Sequence, residues 1–160
     1  MKQRKKTLTI PDKGPRKDRS IDHLLKNCKK VLAEQLAPRP NKSSFPQLNY
    51  SVARKAICDF KKIHPDPLLI IDLQLTYVEY GAQCTLAYGD IDATFYDSIE
   101  RMFRKTLKNM EQHGLLDLFQ NRCLAIQKST CNLGWGFGDA IHELCQEYFP
   151  ERTTCTAYSL

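Results

Sequence analysis

The sequence predicts an all-α protein: a compact bundle of about six helices with a disordered basic tail at its N-terminus. Three observations predict it. Apolar residues recur at spacings of three and four along most of the chain. Helix-starting residues (Ser20, Asn49, Asp66, Asp92) and stopping ones (Pro38, Pro40, Gly114) punctuate those runs. A length of 160 residues, 42% apolar and 26% charged, suits one buried core. We divide the chain into a tail at 1–19, a helical domain at 20–149 and a frayed end at 150–160.

Residues 1–19 are polar and broken by Pro11, Gly14 and Pro15, so they bury too little apolar surface to offset the entropy of ordering. A first helix follows Ser20. It sets Ile21, Leu24, Leu25, Cys28, Val31, Leu32 and Leu36 on one face, with Lys26, Lys29 and Lys30 elsewhere. Pro38 and Pro40 end it, and residues 38–48 form a linker. Asn49 or Ser51 caps a second helix with Val52, Ala53, Ala56, Ile57 and Phe60 inward and Arg54, Lys55, Lys61 and Lys62 toward water. Asp66 as N-cap and Pro67 at the first helical position open a third segment.

Segment 68–88 carries two signals. From Ile71 to Tyr77 apolar and polar residues alternate in strand fashion, and Tyr80-Gly81 offers a hairpin turn. The Asp-Pro start and some 21 residues without a breaker favour a buried helix instead. Gly89-Asp90-Ile91-Asp92 then turns the chain and delivers Asp92 as N-cap of a fourth helix. That helix has Phe95, Ile99, Met102, Phe103, Leu107 and Met110 on its stripe and stops at Gly114. A fifth runs from about Leu115 to Lys128, with Leu115, Leu118, Phe119, Cys123 and Ile126 apolar. A glycine-rich loop, which tucks Trp135 and Phe137 inward, leads to a sixth from Asp139 to Phe149.

Charge and cysteine usage bound the function. The tail holds Lys2, Arg4, Lys5, Lys6, Lys13, Arg16, Lys17 and Arg19 against Asp12 and Asp18, which accounts for the whole net charge of +6. The remainder is balanced, so a nucleic-acid contact rests on residues 1–19. Seven scattered cysteines form no CxxC pair and no regular framework, and free buried thiols suit a reducing, cytoplasmic compartment. No apolar run reaches the length of a membrane span, and no membrane contact is expected.

Catalytic templates mostly fail. His142-Glu143 begins like a zinc-protease helix, but Gln146 stands where the second imidazole is required. Walker, nucleophile-elbow and Glu-x-x-His patterns are missing from the sequence. The four histidines suit exposed or capping positions. The glycines at 134, 136 and 138 resemble a phosphate cradle, yet a helix rather than a strand precedes them. No cofactor is expected. Glu79, Asp90, Asp92, Asp97 and Glu100 cluster in sequence and serve as caps and dipole partners, with a divalent site as the alternative.

Several blocks carry a resemblance: Tyr50-Ser-Val-Ala-Arg-Lys-Ala-Ile, Asp59-Phe-Lys-Lys, Tyr77-Val-Glu-Tyr-Gly, Tyr88-Gly-Asp-Ile-Asp, Phe95-Tyr-Asp-Ser-Ile-Glu-Arg-Met-Phe, Arg122-Cys and Gly134-Trp-Gly-Phe-Gly-Asp. In this order they resemble an uncharacterised bacterial family, domain of unknown function 6155, over residues of about 48–149. The resemblance implies an all-helical cytoplasmic domain and no established activity. The segment before Tyr50 is short by that comparison, and the tail lies outside it. Within the blocks, Arg54, Lys55, Glu79, Asp90, Asp92, Tyr96, Glu100, Arg122, Trp135 and Asp139 mark a candidate functional surface. The first functional expectation is a non-enzymatic helical interaction module for a protein partner, or for nucleic acid through the tail. The alternative is a small metal-dependent enzyme or metal-binding protein built on Glu79, Asp90, Asp92, Glu100 and Asp139.

Overall fold

A computed structural model describes residues 13–39, 49–88, 93–131, 133 and 136–151, with side chains from Ser20 onward. Six helices follow in chain order: α1 (Lys13–Leu36), α2 (Tyr50–Ile63), α3 (Pro67–Tyr88), α4 (Ala93–Gln112), α5 (Leu116–Thr130) and α6 (Phe137–Tyr148). Among the described residues there is no strand.

Local chemistry sets most boundaries. The Asn49 side chain accepts from the Val52 N–H at 3.1 Å, and Asp66 Oδ1 accepts from the Leu68 N–H at 3.0 Å. Gly114, at φ 67°, ends α4 in a Schellman turn. The Leu115 N–H reaches back to the Met110 carbonyl at 2.8 Å and the Gly114 N–H to that of Glu111 at 3.2 Å. Helix α1 departs from expectation: it starts at Lys13, upstream of the Ser20 cap. Residues 1–12, the rest of the expected tail, lie outside the described residues, as do Asp92 and Trp135.

Helix α3 is the centre of the bundle, with α1, α2, α4 and α5 all packed against it. Ile71, Leu73, Leu75, Tyr77, Val78 and Cys84 are completely buried along it. A helix enclosed on several sides needs apolar residues all round, which is why 71–77 alternates like a strand while being helical. The chain after α1 is tied to the end of α3. There the Cys84 thiol donates to the Leu36 carbonyl at 2.7 Å, and the Arg39 N–H donates to the Tyr88 hydroxyl at 2.7 Å.

The core also takes in Phe95, Ile99, Phe103, Leu107 and Met110 from α4 and Phe137, Ile141 and Leu144 from α6. Two expected core positions are exposed instead: Val52 at 39% and Leu118 at 65%. Each flanks the buried stripe of its helix, Ala53, Ile57 and Phe60 on α2 and Phe119, Cys123 and Ile126 on α5, instead of lying within it. Cys131 is disulfide-bonded, a bond that the scattered spacing of the cysteines did not indicate. Cys28, Cys58, Cys84, Cys123 and Cys145 are free. Burial pushes the Cys28 thiol up to about 11 and those of Cys84 and Cys145 up to about 12. They are inert packing groups.

Candidate functional site

The candidate surface residues separate into two regions on α3. On its α1/α5 side, Arg122 forks onto Glu79, donating from Nε to Oε2 at 3.0 Å and from Nη2 to Oε1 at 2.7 Å. Its Nη1 donates to Asp72 Oδ1 at 2.7 Å, and Lys29 Nζ meets the other Asp72 oxygen at 2.7 Å. Thr76, one turn on from Asp72, lies between them at 3.4 Å from Arg122 Nη2. Two half-buried cations thus face two half-buried carboxylates. The hydrogen bonds that Arg122 donates to Glu79 hold its guanidinium above its usual range. Burial opposes ionisation of Asp72, but hydrogen bonds from Lys29 and Arg122 outweigh it and leave the carboxyl below its ordinary value.

The α2/α4 side is different. Three contiguous recesses, sharing Arg101 and Lys105 and then Asn109, run along α4 from Thr94 to His113. Arg54 and Lys61 of α2 and Arg101, Arg104, Lys105 and Lys108 of α4 line this trough, with Asp97 its one acidic lining residue. Arg101 pairs with Asp97 at 2.8 Å and Arg104 with Glu100 at 3.0 Å. Among the described residues no carboxylate pairs with Arg54, Lys61, Lys105 or Lys108. A body with balanced formal charge therefore has a cationic face, and a polyanion contact need not rest on residues 1–19 alone.

At the Tyr50 end of the trough lies a recess of about 410 Å3. Arg54 lies over the Tyr50 ring, 5.5 Å from its centroid, and donates from Nη1 to Ser98 Oγ at 3.0 Å. The hydroxyl of Tyr77, buried inside α3, meets the same oxygen at 2.5 Å. Tyr50, Arg54, Tyr77, Ser98 and Arg101 come from three separate blocks that carry the family resemblance.

The other candidates do not join either region. Lys55 makes an exposed pair with Asp59 at 2.9 Å. Tyr96 is a packing residue, its ring 5.0 Å from that of Phe137. Asp139 stands in the first turn of α6. Asp90, Asp92 and Trp135 lie outside the described residues, as do Lys2, Arg4, Lys5 and Lys6, and of Lys13, Arg16, Lys17 and Arg19 only the helical backbone is described. Glu79 and Glu100 are each committed to an arginine, and no group of three metal-ligating side chains converges among the described residues. His142 differs from its expected exposed or capping role: half-buried, its Nδ1 lies 3.1 Å from the Gln127 amide nitrogen.

Sequence reasoning missed Lys29, Asp72, Ser98, Lys105 and Lys108. A signal existed for Asp72: with Thr76 and Glu79 it forms an i, i+4, i+7 polar stripe on an otherwise apolar helix. No helix of the described residues is long and apolar enough to cross a membrane. No curated protein and no solved structure matches the chain. A sequence model of a family of unknown function does match, over residues 17–153, and so reaches well upstream of the blocks quoted above to include nearly all of α1. On that coverage the chain belongs to the family of unknown function DUF6155.

Proposed function

We propose that the protein is a non-enzymatic helical module of the bacterial cytoplasm that binds single-stranded nucleic acid along the α2/α4 trough. The observation that carries this reading is the set of four cations, Arg54, Lys61, Lys105 and Lys108, that share one concave surface without carboxylate partners. Charges of one sign left unpaired in a groove focus the field there and attract an extended anion. Helix α4 has 20 residues, so the trough runs about 30 Å, long enough to follow several phosphates. The basic residues of the N-terminal segment add a further electrostatic contact.

The test is titration of a labelled thymidine strand with the full chain at several salt concentrations. Four cations at about 0.7 each contribute a slope near −3 in log K against log salt, or about 50-fold weaker binding between about 50 and 200 mM, and the basic residues of the N-terminal segment steepen it further. Deleting residues 1–12 makes the slope shallower but leaves about −3 in place. A strand that does not bind at low salt, or a slope that vanishes with the deletion, overturns the trough. An acidic polypeptide that binds as tightly as the strand would transfer the trough to a protein partner.

A further inference from the structure

The recess at the Tyr50 end has a chemistry of its own, and Ser98 reveals it. Ser98 is 9% exposed and forms part of the recess wall. Tyr77 is fully buried, and Ser98 Oγ is the partner of its hydroxyl. If Ser98 were the donor in that contact, the buried phenolic proton would have no acceptor among the described residues, so Tyr77 donates. Arg54 donates to the same oxygen. Both acceptor positions of Ser98 are then filled, and no described residue receives its own proton. The hydroxyl is left as a donor only.

Around it stand Arg54, Arg101 and Lys105 against Asp97, three positive charges to one negative. A carboxylate ligand would leave one positive charge unbalanced. A phosphate monoester, at about −1.5 to −2 near neutral pH and with three strong acceptor oxygens, matches both the charge and the donor. We propose that this recess binds a phosphate monoester. The group belongs either to the end of a strand lying in the trough, a source that rests on the function proposed above, or to a mononucleotide.

The experiment uses the full chain and four probes: a thymidine strand with a 5′-phosphate, the same strand with a 5′-hydroxyl, adenosine 5′-monophosphate, and adenosine. One well-placed hydrogen bond to a charged group corresponds to about tenfold or more in affinity, so the phosphorylated strand is expected to bind at least that much tighter than its hydroxyl counterpart. Ser98→Ala removes the gain. That substitution also strips Tyr77 and Arg54 of their acceptor and can unfold the chain, so Arg101→Gln and Lys105→Gln, on the solvent side, supply the same readout in a folded protein. Binding of the monophosphate alone, lost in Lys105→Gln, supports the recess and assigns it to a small molecule, while overturning the trough. Equal affinity for the two strands with no monophosphate binding overturns the recess and leaves the trough standing. No binding of any probe overturns both.

Discussion

The two sides of α3 use the same residue types to opposite ends. Toward α1 and α5, Arg122 and Lys29 face Asp72 and Glu79, so positive and negative charges match one for one and the side chains are half-buried. Toward α2 and α4, six cations meet far fewer carboxylates, and four remain uncompensated. Whether an arginine staples a fold or awaits a ligand is decided by the count of countercharges within reach and by how much water is excluded. A matched, half-buried set has already spent its electrostatic attraction on the fold. An unmatched, solvated set retains its attraction for a partner.

Substitutions that separate the two sides test this contrast. The largest effect is expected from Lys105→Glu with Lys108→Glu: strand binding falls by about 100-fold or more, while the melting temperature moves by no more than about 2 °C, because neither lysine has a partner to lose. A large loss of stability would mean that the trough is a structural element. Next comes Arg122→Met, which leaves Glu79 without its fork and Asp72 with only Lys29. Partial burial places its cost between surface and fully buried pairs, at about 2 kcal/mol or a drop of about 4–8 °C, with strand affinity unchanged.

The same side sets an acid dependence. The Asp72 carboxyl is held below its unfolded value, so its stabilisation is present above about pH 4 and is lost as pH falls through the folded-state value. Asp72→Asn should flatten the acid limb of a melting-temperature profile, and an unchanged limb would remove Asp72 from the account. The smallest effect belongs to Lys55→Ala, which breaks an exposed pair with Asp59 and should leave the midpoint of a denaturant titration unmoved.

Much of the fold was legible because its signals are local. Asn49, Asp66 and Gly114 act at their own helix ends, and the stripe from Phe95 to Met110 needs no knowledge of its neighbours. Helix α3 was harder for the opposite reason: a rod packed on several sides loses the one-faced pattern by which helices are recognised, and its polar stripe of Asp72, Thr76 and Glu79 hides among apolar residues. The candidate site was the least legible part. Arg54 and Ser98 lie 44 residues apart and Asp72 and Arg122 lie 50 apart, so nothing in either neighbourhood announces the meeting. Charge balance over the body also misled, since sixteen cations and sixteen anions sum to zero wherever they stand, and only packing reveals that they are sorted.

Gly81 bears on that sorting from the inside. A Cβ added there would collide with the Ile99 side chain, so α3 and α4 lie closer than any other residue would let them. Helix α4 is also the wall that supplies Arg101, Lys105 and Lys108. A larger residue at 81 would act as a shim, pressing that wall away from α3. The standing of the charged lining thus rests in part on a buried position that is no part of that lining.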